Sequence, residues 1–527
     1  MKPAVFAAAA LTALALATPV LAASDPAEMK GQVAADVEAR KKLGQEINDS
    51  IFSFGELGYQ EFETSKYLTA LLEKNGFKVQ RGVAGLPTGW TATWTNGTGG
   101  PAIALGSDVD CLPQASQKPG VAYREPLVAG APGHGEGHNS GQAVNILAAL
   151  AVKDLMIKKK IPGTLMLWPG IAEELVGGKM FMVRDRVFKG VDAVIFNHVG
   201  DNLQTSWGAY SGSGLVSVKY NFHGEAAHAA GAPWRGRSAL DGAMLMGMGW
   251  DMRREHLRTE QRSHYVISNG GDQPNVVPPE AQIWFFVREL DFDHIAKNYE
   301  IANEMADGAA KMSNTTVTHQ VIGYAAPRYF NRPLAEAMDA NLRAVGLPQW
   351  TPDEQAFAKA VQTTVGSKPE GLATTLKPLI GPSQDPNGGS DDIGDVAWTL
   401  PTVMLVYPSN VPGLPGHHWS NAMAMATPIA HDGIVAGGKV VAMTLVDMLT
   451  KPELITQAKA DFALQTKDQH YVPMIGPDDK PQIQLNADIM AANRPAMRKF
   501  YYDPAHYKTY LDQLGVHFPT LTKPAAN

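Results

Sequence analysis

One cysteine, Cys111, in a chain of 527 residues excludes an intrachain disulfide. Stability must come from the core and from assembly, and metal ligation can rest only on histidine and carboxylate. Beyond the N-terminal segment, no run offers the 18 or so consecutive apolar residues that a spanning helix needs. Cationic excess is missing as well: 45 Lys and Arg against 52 Asp and Glu give a net charge of −7, which argues against nucleic acid and anionic membranes as partners. There is no G-x-S-x-G elbow, no G-x-x-x-x-G-K-[ST] phosphate loop and no H-E-x-x-H helix, so serine hydrolase, P-loop and zincin chemistries fit poorly. Cys111 reads as a small buried residue after Asp108-Val-Asp110 rather than as a nucleophile.

What is present is ordinary in bulk and informative in detail. A composition of 45% hydrophobic and 18% charged residues over this length suits a soluble protein of several domains. Residues 1–23 carry a basic start at Lys2, an apolar stretch from Ala4 to Ala17 and the small-residue exit Val20-Leu21-Ala22. They are expected to be a signal peptide, making the protein secreted, in the periplasm, and free of the membrane after cleavage.

Four groups concentrate the chemistry: His134-Gly-Glu136-Gly-His138, the pair Glu173-Glu174, His198, and His417-His418-Trp419. Each follows a short β-branched or apolar run, at Ala102–Gly106 (with Asp108 and Asp110 next), Thr164–Trp168, Val191–Phe196 and Thr402–Tyr407. Most of these runs are separated by helical patterns such as Gly141–Met156, which is the α/β signature. In an open α/β sheet the ligand site lies outside the carboxyl ends of the strands, so these side chains should gather at one edge of one sheet. Two adjacent carboxylates aimed into one site repel unless a cation intervenes. Histidine and carboxylate donors without thiolate suit Zn²⁺, Mn²⁺ or Co²⁺. Two such ions can share a water and polarise a carbonyl, and a carboxylate left free of them is then the general base.

The pattern changes near Ser213. Leu215–Phe222 alternates apolar and polar residues; a helix over Ser238–His256, strands at His264–Ser268 and Gln282–Arg288, a helix over Phe292–Met312 and a strand at Thr315–Gly323 follow. The expected architecture is therefore an α/β catalytic domain in two parts, 24–213 and 329–475, interrupted by an α+β four-stranded domain at 214–328. An extension, 476–527, carries no nameable chemistry. Residues 25–72 are expected to form two helices broken at the Phe54–Gly58 turn, and a long apolar helix is expected over Ile434–Leu449. Gln384–Asp392 is a Pro/Gly/Asp-rich loop whose proline and spacing break a calcium-loop pattern.

The segments GELGYQEFETS (55–65), GVAGLPTG (82–89), APGHGEGHNSG (131–141), PGTLMLWPGIAEELVGGKMFM (162–182), FHGEAAHAAGAPWRGRSALDG (222–242), SNGGDQPNVVP (268–278), GSDDIGDVAW (389–398) and GLPGHHWSN (413–421) together resemble the dimetal aminoacylase and carboxypeptidase family, peptidase family M20. Within it they are similar to the amidohydrolase branch that contains the aminobenzoyl-glutamate and auxin-conjugate hydrolases. The resemblance runs colinearly over about residues 35 to 475 and implies a mixed-sheet dimetal hydrolase with an inserted dimerisation (lid) domain. It implies two divalent ions per subunit, Zn or Mn with Co as an option, held by Glu136, His138, Glu174, His198 and His417, with His418 the fallback for the last. It implies Glu173 as base, Asp110 as the support of a ligand, His228 as an oxyanion-stabilising residue reaching across a dimer interface, and Asn275 and Arg288 on the substrate carboxylate. The implied activity is hydrolysis of N-acyl or N-aroyl amino acids by a homodimer or higher oligomer. A dipeptidase or carboxypeptidase on the same scaffold, or a non-catalytic binding protein, are the alternatives. One departure stands out: Glu136 occupies the place of a cysteine usual in this branch, and a hard carboxylate there should shift preference away from soft metals.

Overall fold

Strands of this chain sort by burial into a doubly covered sheet and a half-covered one in the computed structural model, which describes residues 25–523. The expected signal peptide, 1–23, lies outside the described residues. In chain order the strands are β1 (Lys78–Arg81), β2 (Trp90–Asn96), β3 (Ala102–Asp108), β4 (Gly163–Gly170), β5 (Ala193–Gly200), β6 (Gln204–Thr205) and β7 (Gly208–Ala209). They continue as β8 (Gly214–His223), β9 (Arg262–Asn269), β10 (Glu280–Glu289), β11 (Thr316–Ala325), β12 (Tyr329–Phe330) and β13 (Thr402–Pro408).

Seven strands form a mixed sheet in the order β1-β2-β4-β3-β5-β13-β6. Its centre, β4-β3-β5-β13, is parallel, and β2, β1 and β6 join antiparallel at the edges. The central strands are continuously apolar because both their faces are buried: Leu165, Leu167 and Trp168 on β4 and Val194, Ile195 and Phe196 on β5 are fully enclosed. The helices Gly141–Lys159 and Pro428–Thr450 pack on each other and on this sheet. The second of them begins at Pro428, earlier than the expected Ile434, because proline fits a first helical turn while His431 and Asp432 interrupt the apolar pattern. By hydropathy it is the one helix among the described residues apolar enough to cross a membrane, and it is buried in the core.

Residues 25–74 form three helices, Pro26–Ala39, Lys41–Phe54 and Phe62–Lys74, where two were expected over 25–72. The additional break is at Arg40, whose amide closes back onto Val37 O and whose guanidinium holds Asp36 O at 2.9 Å. Both flanking helices bury apolar residues, so the pattern runs through the break. The expected end at the Phe54–Gly58 turn is there, with Gly55 in the left-handed region at φ 54°.

Four strands, β11-β8-β10-β9, make the second sheet, antiparallel throughout. Ala281, Ile283, Phe285 and Val287 of β10 point to one face, which the helices Ala239–Arg253 and Phe292–Ser313 cover. Phe286 and Arg288, on the other face, reach the cavity described below. The last strand of this sheet is tied to the first unit by Tyr324 N donating to Val176 O at 3.0 Å. The C-terminal extension packs back on the catalytic side: Met490 and Met497 bury with Leu57, Cys111 and Ala131, and Tyr502 and Tyr510 enter the main core.

Candidate metal and catalytic site

Parallel strands deliver their carboxyl ends to one rim. Asp108 closes β3 and Asp110 follows; β4 ends at Gly170, and a tight turn then presents Glu173 and Glu174 between two left-handed residues, Ala172 (φ 52°) and Val176 (φ 46°). His198 lies inside β5 rather than after it, since that strand runs on to Gly200. His417, with φ 49°, sits on the loop that leaves β13, and the Gly-rich loop before the Gly141–Lys159 helix brings Glu136 and His138.

Glu136 stands at the centre. Its carboxylate lies 3.0 Å from His417 Nε2, 3.4 Å from His198 Nε2 and 4.0 Å from His138 Nε2. Glu174 is 3.5 Å from His417 Nε2 and 3.9 Å from His138 Nδ1, and its amide donates to Asp110 Oδ2 at 3.1 Å. Asp110 Oδ1 lies 3.7 Å from His138 Nδ1. The structure thus brings Glu136, His138, Glu174, His198 and His417 together with Asp110 beside them. His418 turns away to Ser420 Oγ at 2.8 Å, and buried His134 faces Ile51 O at 3.2 Å, with burial holding it down at about 3.

Shared protons dominate the cluster as it stands. Burial works to raise Glu136, but the His417 hydrogen bond and the fields of His138 and His198 hold it low. Glu174 is pushed well above the carboxylate range by burial and by Glu136. His417 is raised to about 9, first by its hydrogen bond to Glu136 and against the effect of burial.

This donor set fits a cation. His198 Nδ1 faces Val199 O at 2.9 Å, and a carbonyl can only accept, so the ring proton is there. His198 Nε2 faces the cluster, 3.4 Å from His138 Nε2 and 3.4 Å from Glu136 Oε1. Imidazole nitrogens and carboxylates converging in this way are the donors that a divalent cation takes. The donor atoms of Glu136, His138 and Glu174, and those of Asp108, His138 and His198, each fall within 4.8 Å of one another. Because His417 must lose its proton to bind a metal, apparent Zn²⁺ affinity should rise with pH up to about 9, with proton release on binding. Titrations of the metal-free protein across that range, in buffers of different ionisation enthalpy, check this; a pH-independent affinity contradicts it.

Glu136, Glu174, His198 and His417 line a cavity of about 180 Å³. Glu173, Arg288, Arg328, Ser390 and Asp391 form much of the rest. Arg288 Nη1 donates to Ser390 Oγ at 2.9 Å, and Arg328 Nη2 to the carbonyls of Ser211 and Gly389 at 2.7 and 2.9 Å. Glu173 is driven well above the carboxylate range by burial, then by Asp391 and Asp108. Behind it the ammonium of Lys179, fully buried, bonds Asp108 Oδ1 at 2.5 Å and Asp392 Oδ1, with Asp391 Oδ1 at 3.6 Å.

Two expected residues stand apart. His228 is exposed on a loop of the four-stranded unit, its Nδ1 accepting from Ala230 N and Gly231 N, and Asn275 is exposed on the neighbouring loop. Neither lines the cavity of this single chain. Four residues that do belong to the site, Lys179, Arg328, Asp391 and Asp392, were not among those expected. Lys179 had a signal, a lone cation before the apolar Met180-Phe181-Met182; Arg328 had none.

Comparison with known proteins bears on the family. Residues 210–311 match the M20 peptidase dimerisation domain. The chain is 32% identical over 463 residues to a polypeptide of the p-aminobenzoyl-glutamate hydrolase of Escherichia coli (strain K12), spanning 82% of this chain and 95% of that protein. It is 27% identical to Xaa-Arg dipeptidase of Homo sapiens, over 82% of this chain and 92% of the relative. Among solved structures, the aminobenzoyl-glutamate utilization protein from Klebsiella pneumoniae superposes with a TM-score of 0.53 at 17% identity, covering 81% of this chain and 98% of that one, a likeness of fold.

Proposed function

From the premise that this chain belongs to the M20 peptidase family, and so is a hydrolase of amide or peptide bonds, we propose that it cleaves N-acyl or N-aroyl conjugates of amino acids, acidic ones above all. The observation that carries this reading is the cavity itself, which a buried glutamate, Glu173, lines together with the histidine and carboxylate cluster and two guanidinium groups, Arg288 and Arg328. The Escherichia coli relative is named for hydrolysis of p-aminobenzoyl-glutamate, and glutamate carries two carboxylates.

In this reading Glu136, His138, Glu174, His198 and His417 hold two divalent ions, with Asp110 orienting His138. When bound, such ions supply Lewis acidity, which polarises a carbonyl and acidifies water. Glu173 takes a proton from the attacking water and delivers it to the leaving nitrogen. Burial and Asp391 raise its proton affinity, and the positive charge of ions held alongside would oppose that rise, leaving a carboxylate able to take the proton and give it up again. Arg288 and Arg328 bind the carboxylates of the leaving amino acid, with Asn275 assisting, and His228 of the partner subunit steadies the oxyanion. A homodimer is supported by the match to a dimerisation domain, and an address in the periplasm by the composition of residues 1–23.

The test is a panel of N-aroyl, N-acetyl and dipeptide substrates ending in glutamate, aspartate, alanine or arginine, given to metal-reconstituted protein and read by mass spectrometry. Release of glutamate or aspartate from the acyl and aroyl conjugates is expected, with little from arginine. Preferred release from dipeptides would move the protein to the dipeptidase reading, and silence with metal bound would make it a binding protein. Arg288→Ala and Arg328→Ala should each raise KM for the acidic conjugates about tenfold or more, the loss of about 1.5–3 kcal/mol expected for a hydrogen bond to a charged group. Unchanged KM values would remove the arginines from substrate recognition.

A further inference from the structure

The segment Gly55–Glu61 touches the backbone of the site at several points. Glu61 Oε1 accepts from Ala172 N at 2.9 Å and from Tyr59 N at 3.0 Å, while its other oxygen accepts from Thr88 Oγ1 at 2.7 Å. The Tyr59 hydroxyl donates to Gly177 O at 2.8 Å. Ala172 and Gly177 bracket the turn that presents Glu173 and Glu174, so this segment grips that turn at both ends. Cys111 N, next to Asp110, donates to Glu56 O at 2.9 Å. Gly58 is packed so closely that a Cβ there would lie 2.9 Å from Ala172 Cα and 3.1 Å from Asp110 Oδ2.

On its opposite side the same segment is held by the C-terminal extension. Arg494 Nη2 donates to Glu56 Oε1 at 2.9 Å and to Gln60 O at 2.8 Å. Asn486 Nδ2 donates to Gly58 O at 3.1 Å, and Gln60 Nε2 donates to the carbonyls of Ile483 and Leu485 at 3.0 and 3.1 Å. The fully buried Glu56 carboxylate also accepts from Glu63 N and Thr64 N at the start of the Phe62–Lys74 helix, so Arg494 neutralises an acid that has nowhere else to go.

We propose that residues Ile483–Met497 are a brace of the active site, with Arg494 as a positioning residue that holds the Gly55–Glu61 segment and, through Glu61 and Tyr59, fixes the Glu173–Glu174 turn. A turn with left-handed residues at both ends is strained and keeps its shape only if its surroundings impose it. The extension imposes it from outside the catalytic sheet. Its catalytic consequence rests on Glu173 being the base; the mechanical coupling does not.

Full-length Arg494→Ala and Arg494→Lys, compared with the parent, test this by hydrogen exchange of peptides covering 55–61 and 172–177, by kcat and KM, and by metal content. Arg494→Ala should speed exchange in both peptides and lower kcat about 10- to 100-fold at unchanged KM when assayed saturated with metal, as expected for misplacement from a distance. Arg494→Lys should recover part of both effects. Should Arg494→Ala fail to fold, Asn486→Gly keeps the left-handed backbone at that position and removes only the side-chain donor. Unaltered exchange over 172–177 overturns the brace. Faster exchange with unaltered kcat in an active enzyme overturns its catalytic role. If the parent cleaves nothing in the panel, the functional reading falls and the exchange data still decide the coupling.

Discussion

Glu173→Gln should lower kcat by about 10²- to 10⁴-fold, the range for loss of a positioned general base, while metal content and KM stay near those of the parent. The carboxamide has the size of the carboxyl group but cannot carry the proton from water to nitrogen. Folding should not suffer. Glu173 is buried beside Asp391, Asp108 and Glu174, and burial and these like charges already resist its ionisation, so a neutral side chain relieves the strain. Single-turnover kinetics with elemental analysis of the same preparation checks both halves. Retained turnover would remove Glu173 from the proton transfers, and lost metal would move it into the ligand set.

Lys179→Met should cost about 3–5 kcal/mol of stability, the usual result of taking one partner from a buried charge network. The ammonium is fully enclosed, and the carboxylates of Asp108, Asp391 and Asp392 around it are almost equally so. Burial lowers the proton affinity of a lysine, yet Asp108 and Asp392 hold this one well above its ordinary value. Even with Lys179 present, Asp392 is raised by burial to about 7. Without the ammonium these carboxyl groups bind protons more tightly in the folded than in the unfolded chain. Stability of the variant is then greatest at low pH and is lost as pH rises from about 4, where an unfolded aspartate ionises, toward the higher folded values. The deficit against the parent should accordingly widen with pH. Adding Asp392→Asn should restore part of it, because one uncompensated charge goes. Thermal unfolding of the three proteins across that pH range is the measurement; a deficit under about 1 kcal/mol, as for an exposed pair, would contradict the account.

The catalytic sheet could be read from the chain because parallel strands buried on both faces leave unbroken apolar runs, and the polar residues just past them share one rim. Glu136, His138, Glu174 and His417 were legible for that reason. His198 was legible as a site residue, but its place inside β5 was not, since a strand can run past its apolar stretch when its last side chains face a polar site. Lys179 escaped notice because its partners lie at 108, 391 and 392, and no local pattern records a pairing across such a separation. The extension was opaque for the same reason: Arg494 has meaning only beside Glu56. His228 and Asn275, expected at the site from the resemblance alone, sit on exposed loops away from the cavity.

The order of strands also bears on how the molecule comes into being. β13 lies between β5 and β6 and pairs with β5 in parallel, placing Val406 against His198, although residues 201–401 separate the two strands. The four-stranded unit, closed within 214–325, uses nearer contacts and should form early. Until residues 402–408 emerge, β5 shows an open apolar edge, the kind of edge that invites pairing with another chain. His417 arrives later still. The charged cluster is therefore complete only after the last strand has docked and closed the sheet.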